Sequence, residues 1–212
     1  ACVDFYDPDV IELIRSELPV VTIDHVFDYR IAVVSDNVKG MQDILHYVYD
    51  NGHRKIAYIH GDETSVTQNR LGSYYRTMEE LGLQTPDKYI KSGVYRNPEK
   101  AASLTRELLE LPDPPTCILY PDDYSCIGGI NMIKDKKLKI PEDISVVGYD
   151  GTYISKIMDP KLTTIQQNTK EIGRVAAESL IRLIENPKTA LIEKIVIEGS
   201  LLTGASVGKA AK

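Results

Sequence analysis

Two apolar runs early in the last third of the chain are each followed by a side chain that can bind a ligand. The run Ile144 to Val147 is followed by Asp150, and a second run that contains Ile165 is followed by Gln167. A carboxylate and an amide at the ends of two strands can make directional hydrogen bonds to hydroxyl groups. If both strand ends face one cleft, these two side chains would hold a ligand.

Motifs for enzymatic chemistry are missing from the sequence. It contains no nucleophile elbow, phosphate-binding loop, dinucleotide fingerprint or zinc-type cysteine pair. The adjacent carboxylates Asp122 and Asp123 could suggest acid–base catalysis, but capping of a helix by Asp123 explains them more simply. The histidines are scattered without metal-binding spacing: His25, His46, His53 and His60. We therefore predict a protein that is not an enzyme and has no cofactor and no metal site.

Composition narrows the possible partners and location. The chain has 212 residues, a net charge of -6 and a pI near 5.3, which argues against direct binding to nucleic acid because phosphates require a basic surface. No apolar stretch is long enough to span a membrane, and the N-terminus lacks the features of a secretory signal. Cys117 and Cys126 lie in apolar surroundings typical of reduced core thiols. We expect a cytoplasmic protein.

Strand-like and helix-like segments alternate along the chain, which predicts an α/β fold with parallel sheets covered by helices on both faces. Ligands of such sheets bind beyond the carboxyl ends of the strands. The predicted strands are ACVDF at the N-terminus, Val20 to Ile23, Ile31 to Val34, Lys55 to Ile59, Tyr89 to Lys91, Thr116 to Tyr120, Ile144 to Val147 and the run that ends at Gln166 to Asn168.

Six motifs in order give the chain a resemblance to the LacI/GalR family of bacterial transcription regulators. They are Asp36-Asn37 with Gly40, GHRKIAYIHG from Gly52, Asn69-Arg70-Leu71, PPTCILYPDDYSCIGG from Pro114, IPEDISVVGYDG from Ile140 and LTTIQQN from Leu162. The resemblance runs over nearly the whole chain. It implies two doubly wound parallel-sheet subdomains around a ligand cleft, a fold similar to periplasmic binding proteins of type I.

The resemblance also implies where the subdomains begin and end. The N-terminal subdomain would comprise residues 1–51 and 162–198, and the C-terminal subdomain residues 52–161 and 199–212. Asp150 and Gln167 would then reach the cleft from different subdomains. The chain resembles the family core without its DNA-binding headpiece and without the first part of the core, so we expect an N-terminally truncated core.

Carried over by position, the resemblance implies a set of ligand-binding residues. Arg70 matches the effector-binding arginine of the family, Asp150 the cleft carboxylate and Tyr95 an aromatic residue that stacks on the ligand. An arginine, a carboxylate and an aromatic face together suit a sugar. Asp122 stands where the family has a polar residue, and its charge would favour a polyol-like or cationic ligand over an anionic one. Further polar candidates are Ser35, Tyr124 and Gln167.

The predicted function is that of a sensing and dimerisation core in a transcriptional regulator. A small-molecule effector, expected to be a sugar, would stabilise one orientation of the subdomains and so change operator affinity. The partners would be a second copy of the chain and operator DNA, the latter only through a headpiece that this chain lacks. The alternative is a sugar-binding protein of a transport system, which has the same core and is distinguished by the sequence upstream.

Overall fold

Strands and helices alternate along the chain, as the apolar pattern predicts. The computed structural model describes residues 8–27, 29–187 and 191–210, so the predicted ACVDF strand lies outside the described residues. The helices are α1 (Pro8–Arg15), α2 (Asn37–Asp50), α3 (Ser65–Glu80), α4 (Pro98–Leu109), α5 (Asp123–Asp135), α6 (Tyr153–Ile157) and α7 (Thr169–Glu185). The strands are β1 (Val21–Ile23), β2 (Ile31–Ser35), β3 (Ile56–His60), β4 (Ile90–Ser92), β5 (Cys117–Leu119), β6 (Ser145–Val147), β7 (Thr164–Gln166), β8 (Lys194–Ile197) and β9 (Ser200–Leu202).

The described residues form two compact units, and the first ends at Ser35 and resumes from Asn168 to Ile197. Its sheet has the order β1-β2-β8 with all strands parallel. The central strand β2 is buried at every position, as expected for a parallel strand between two neighbours. Helix α7 covers the sheet because Ile172 and Ala176 pack against Val33.

The second unit contains Asp36–Gln167 and the residues after Ile197, and its main sheet has the order β4-β3-β5-β6, again parallel. Successive side chains of a strand point to opposite faces, and β3 shows this. Tyr58 packs with residues of α2 and α3, whereas Ala57 and Ile59 pack with residues of α4 and α5. Helices therefore cover both faces of the sheet, and the predicted doubly wound α/β fold is confirmed.

A short antiparallel pair, β7 with β9, departs from the predicted all-parallel arrangement. The bridges Val147 with Thr163 and Asp150 with Gln166 place this pair beside the end of β6. The tail after β9 then returns to the main sheet, where the Ser206 hydroxyl donates to Val146 O (2.7 Å). The pair consists of three-residue strands, too short to reveal their direction by periodicity.

Helix α2 belongs to the second unit because Met41, Ile44 and Leu45 share one buried cluster with Ile56 and Tyr58 of β3. The units therefore divide the chain after Ser35, after Gln167 and after Ile197. The subdomains implied by the family resemblance, 1–51 with 162–198 and 52–161 with 199–212, are a different division of the chain and remain a prediction.

Helix ends follow the capping rules, with one correction. Asn97 caps α4 through its side chain with Pro98 in the first turn, and Gly82 follows the end of α3 at φ +67, as these residue types favour. The cap of α5 is Asp122, not Asp123, because the Asp122 carboxylate accepts from Ser125 N. Cys117 and Cys126 are buried free thiols. Within the described ranges, no helix is both long and apolar enough to cross a membrane.

His53 joins three segments of the second unit at the amino end of its sheet. Its Nδ1 lies 2.9 Å from Thr116 Oγ1 and its Nε2 lies 3.2 Å from Gly208 O in the tail. Burial lowers the pKa of His53, and the Gly208 hydrogen bond opposes the shift without reversing it. The imidazole is therefore neutral in the folded protein at neutral pH.

The lowered pKa predicts acid-sensitive stability. Below the ordinary histidine pKa of 6.5, the unfolded chain takes up a proton that folded His53 resists, so this contribution to stability is present above that pH and is lost as the pH falls. We expect the melting temperature of His53→Gln, measured from pH 7.5 to 5, to fall less steeply than that of the wild type. The exposed His46 provides the control, since His46→Gln should leave the slope unchanged, and equal slopes for His53→Gln and wild type would contradict the assignment.

Candidate functional site

Arg70 is buried near the start of α3, where its guanidinium joins three parts of the second unit. Its side chain is 3% exposed. Nε donates to Asn37 Oδ1 (2.7 Å) at the start of α2, and Nη1 donates to Pro121 O (2.9 Å) after β5. A buried cation is tolerated only with hydrogen bonds and countercharge. Arg70 therefore fixes the relative positions of these segments, in addition to any contact with a ligand.

One face of the guanidinium is covered by Tyr149, whose ring centroid lies 3.4 Å from Arg70 Cζ. This is a cation–π contact in a buried environment. The Tyr149 hydroxyl packs against Gly40 of α2 so closely that a Cβ there would collide with it. Gly40, part of the motif that carried the family resemblance, is thus required by the packing of Tyr149 beneath Arg70.

Asp150 lies beside the outer edge of Arg70, with Oδ1 3.9 Å from Arg70 Nη2. That distance is an ion pair but is too long for a hydrogen bond. The Asp150 side chain is 34% exposed, and the backbone has φ +98, a strained conformation for a residue other than glycine. Burial alone would lower the pKa of Arg70, but Tyr149, Tyr95 and Asp150 raise it, so the cation persists at every physiological pH.

Gln167 is tied directly to Asp150. Its Nε2 donates to Asp150 Oδ1 (2.6 Å), and its backbone N–H donates to Asp150 O (3.2 Å). The sequence analysis assigned these two residues to different subdomains, yet both lie in the second compact unit. The structure thus brings together Arg70, Asp150 and Gln167, three of the seven predicted ligand-binding residues, but does so within one unit.

Tyr95 and Tyr124 are held differently. The Tyr95 ring packs on Gly61, its hydroxyl hydrogen bonds with Thr67 Oγ1 (2.8 Å), and its backbone N–H donates to Asp62 (3.0 Å). These contacts fix a half-buried aromatic ring at the carboxyl end of the sheet. Tyr124 lies in the first turn of α5 and is exposed, so its ligand-binding role remains a prediction.

Asp122 is less available to a ligand than its position in the sequence suggests. It is 2% exposed, and its oxygens accept hydrogen bonds from Ser125 N (2.7 Å), Ser125 Oγ (3.0 Å) and Arg96 N (2.8 Å). Because these donors occupy the carboxylate, Asp122 has little capacity left to bind a ligand directly, and the expectation that its charge disfavours anionic ligands stays a prediction.

Asp123 crosslinks the segments around β6 and β7. Its carboxylate accepts from Thr152 N (2.7 Å), Thr152 Oγ1 (2.9 Å) and Thr164 Oγ1 (2.7 Å). Burial nevertheless raises the pKa of Asp123 to about 6, so the ionised form is costly in the folded state. This group stabilises the loop that carries Asp150.

Ser35 lies in the first unit, where its backbone N–H donates a hydrogen bond to Asp24 Oδ1 (2.8 Å).

Two residues that contact Arg70 were not predicted as site residues: Asn37 and Tyr149. Both lie in motifs that carried the resemblance, and Asn37 follows a strand end by two positions, so inspection two residues further along each strand end would have found it. The site offers a cation (Arg70), a carboxylate (Asp150), an amide (Gln167) and an aromatic surface (Tyr95), and these four residues are called the cluster below. This combination suits a small polyhydroxylated molecule.

Comparisons with known proteins agree with this architecture. The model of the "Periplasmic binding protein-like domain" family matches residues 45–207. The HTH-type transcriptional repressor CytR of Escherichia coli (strain K12) is 34% identical over 142 residues, which is 66% of this chain and 41% of that protein. The HTH-type transcriptional repressor PurR of Mannheimia succiniciproducens is 30% identical over 97% of this chain and 63% of its own length.

A solved structure described as a complex of the transcriptional regulator CelR with cellobiose is also similar. It superposes with a TM-score of 0.77 at 25% identity, over 83% of this chain and 54% of that one. The chain thus spans between two fifths and two thirds of the length of the curated relatives just described. The chain belongs to the family of periplasmic binding protein-like domains, and the resemblance to LacI/GalR regulators is confirmed. CytR and PurR are described as transcriptional repressors, in agreement with the prediction of a function that is not enzymatic.

The packing of Tyr149 on Gly40 generates a prediction with a matched control. Gly40→Ala should lower the stability by about 2 kcal/mol, because the new methyl group displaces Tyr149 from beneath Arg70. Gly72→Ala, also inside a helix but with open space around it, should raise stability by about 0.5–1 kcal/mol. Chemical denaturation of both variants measures the difference, and a stabilising Gly40→Ala would show that the contact is not a constraint.

The raised pKa of Asp123 predicts the opposite pH dependence to that of His53. Because folded Asp123 holds its proton up to about pH 6 and the unfolded group has a pKa of 3.8, its favourable contribution is complete below pH 3.8 and is lost as the pH rises through 6. As the pH rises from 4.5 to 7, the melting temperature of the wild type should therefore fall relative to that of Asp123→Asn.

Asp123→Ala separates the charge from the hydrogen bonds. It leaves the hydroxyl of the buried Thr164 without its acceptor, so we expect it to melt about 5 °C below Asp123→Asn at pH 7. If the two variants melt together, the three hydrogen bonds do not contribute to stability, and the structural role given to Asp123 is wrong.

Proposed function

We propose that this chain is the effector-binding core of a bacterial transcriptional repressor and that a small sugar binds at the cluster of Arg70, Asp150, Tyr95 and Gln167. The observation that carries the proposal is the loose pair of Arg70 Nη2 and Asp150 Oδ1 at 3.9 Å. Two opposite charges held this close without a hydrogen bond suit insertion of a hydroxyl group that accepts from Arg70 and donates to Asp150. Half-buried Tyr95 supplies an aromatic surface for the apolar face of a sugar ring.

Strain at Asp150 supports a role in binding. A left-handed backbone conformation costs about 1–3 kcal/mol for most residues other than glycine and clusters at functional sites, although aspartate and asparagine adopt it more readily than the rest. The adjacent Gly151 also has a positive φ, of +62. A glycine at position 150 would adopt its backbone conformation without strain. An aspartate in this place is consistent with selection for its carboxylate.

Coupling to DNA follows from the positions of the site residues along the chain. Asn37 comes one residue after the start of the second unit, and Gln167 is the last residue before the chain returns to the first. Effector binding would therefore act on residues next to two of the three points at which the chain passes from one unit to the other. Any preference of the effector for one conformation would then appear as a change in operator affinity. In this proposal the protein acts in the cytoplasm as a homodimer and contacts operator DNA through a headpiece outside this chain.

A thermal-shift measurement on the full chain tests the proposed ligand class. D-glucose, D-ribose and cellobiose are the probes, with adenine as a comparison. A sugar that binds the folded state raises the melting temperature with concentration, by mass action, and we expect one of the three to do so. A shift with adenine alone would replace the sugar by a purine base, and no shift with any of the four would refute the proposed function.

Asp150→Asn makes the test specific to the cluster. Asparagine tolerates the left-handed backbone and retains an acceptor for Gln167, but it lacks the charge. We expect binding of the active sugar to weaken at least about tenfold, equivalent to about 1.4 kcal/mol, and the free protein to melt somewhat lower because Arg70 loses its countercharge. Asp113→Asn is the control, since it removes the charge of an exposed carboxylate that pairs with Lys55, outside the predicted site residues. Equal affinity of both variants would place the ligand elsewhere.

A further inference from the structure

Tyr58 in the centre of β3 has a buried hydroxyl without a hydrogen-bond partner among the described residues. The whole side chain is 1% exposed, and the strand lies between β4 and β5, which hold its backbone. Buried hydroxyl groups almost always have partners, and one without a partner costs about 1–3 kcal/mol. A phenylalanine would fill the same space without that cost, so the hydroxyl requires an explanation.

The neighbouring Tyr74 shows what a structural tyrosine looks like in this core. It is fully buried, its ring lies 5.5 Å from the Tyr58 ring, and its hydroxyl donates to Ile56 O at 2.7 Å. Both tyrosines belong to the same apolar cluster. The Tyr74 hydroxyl thus has a role in holding α3 on β3, whereas the Tyr58 hydroxyl has no such bond within the described part of the chain.

Helix α3 places Arg70 on the same side of β3 as Tyr58. Arg70 and Tyr74 are four residues apart and so occupy one face of the helix. Because Tyr74 reaches Ile56 at the start of β3, Arg70, one turn earlier in the helix, lies toward the carboxyl end of that strand. Tyr149, which stacks under Arg70, belongs to the same buried cluster as Tyr58. Tyr58 therefore adjoins the inner side of the candidate site.

Electrostatics agree with this placement. Burial raises the pKa of Tyr58, the Arg70 cation acts against the increase, and Tyr95 and Tyr149 add to it. The three groups that influence the phenol oxygen are thus residues of the candidate site. An unpartnered hydroxyl at this place can donate or accept one hydrogen bond.

We propose that Tyr58 is a further effector-binding residue, whose hydroxyl hydrogen bonds with a hydroxyl or ring oxygen of the sugar on the inner side of the Arg70–Tyr149 pair. This inference rests on the proposed function, since it adds a contact to the same site. Because the phenol oxygen is enclosed, the contact forms when side chains at the site adjust to the ligand. Tyr58 would then select ligands with a polar group that reaches past Arg70.

Tyr58→Phe and Tyr74→Phe in the full chain form a matched pair for the test. Without ligand, Tyr58→Phe should melt at or above the wild-type temperature because it removes an unpartnered polar group, whereas Tyr74→Phe should melt lower by a few degrees because it removes a buried hydrogen bond. Calorimetric titration then uses whichever of D-glucose, D-ribose and cellobiose binds the wild type. We expect Tyr58→Phe to weaken binding about five- to tenfold and Tyr74→Phe to leave it unchanged.

Each other outcome decides against the proposal. A Tyr58→Phe variant that melts as low as Tyr74→Phe would show that the hydroxyl stabilises the free protein, as a bond to an enclosed water would. Unchanged affinity in Tyr58→Phe, with a sugar that binds the wild type and responds to Asp150→Asn, would refute the Tyr58 contact while leaving the proposed function intact. If none of the three sugars binds the wild type, the proposed function fails and the Tyr58 contact falls with it.

Discussion

The buried guanidinium of Arg70 is the interaction on which the second unit depends. Its cost of burial is offset by Asn37, Pro121 and Tyr149, which come from three segments distant in sequence. The position of Tyr149 is fixed in turn by the close packing of its hydroxyl against Gly40. A cation with fixed geometry thus sets the positions of a helix start, a loop and a strand end. The carboxyl edge of the sheet is ordered around it.

This arrangement gives different physical roles to residues that look equivalent in the sequence. Asp122, Asp123 and Asp150 are all carboxylates that follow strands. Asp122 caps helix α5, and Asp123 is buried and accepts hydrogen bonds from the segments around β6 and β7. Asp150, in contrast, is partly exposed, has a strained backbone and lies beside Arg70. Of these three carboxylates, only Asp150 is open to a ligand without movement of its neighbours. Burial and hydrogen bonding, rather than residue type, separate structural carboxylates from a candidate binding group.

Much of the fold could be predicted from the chain because its local patterns are strong. Continuous apolar runs and helices with clear caps, such as Asn97-Pro98, were enough to predict an α/β fold with parallel sheets. The sheet to which α2 packs could not be predicted, because an amphipathic stripe indicates a buried face without specifying what covers it. The choice between Asp122 and Asp123 as a cap depended on a register of one residue, which lies within the usual uncertainty of helix ends.

The site was predictable only in part, and for a similar reason. Arg70, Asp150 and Gln167 were among the seven predicted residues, but their direct contacts and the role of Asn37 depend on how distant segments pack. Tyr58 had no signal in the sequence, since a tyrosine within an apolar strand resembles any other core residue. Its unpartnered hydroxyl becomes visible only when all neighbouring donors and acceptors are in place.

The tail of the chain has a consequence for biosynthesis. Residues after Ile197 supply β9, the Ser206 hydrogen bonds to Val146 and Thr163, and the Gly208 contact with His53. Most of the second unit is translated well before these residues, so during synthesis its sheet emerges without the segment that covers the edge of β6. Domains generally fold as units as they leave the ribosome, but this one remains incomplete until the residues after Ile197 have emerged as well. The nascent protein therefore exposes an unfinished sheet edge until those residues are free to pack.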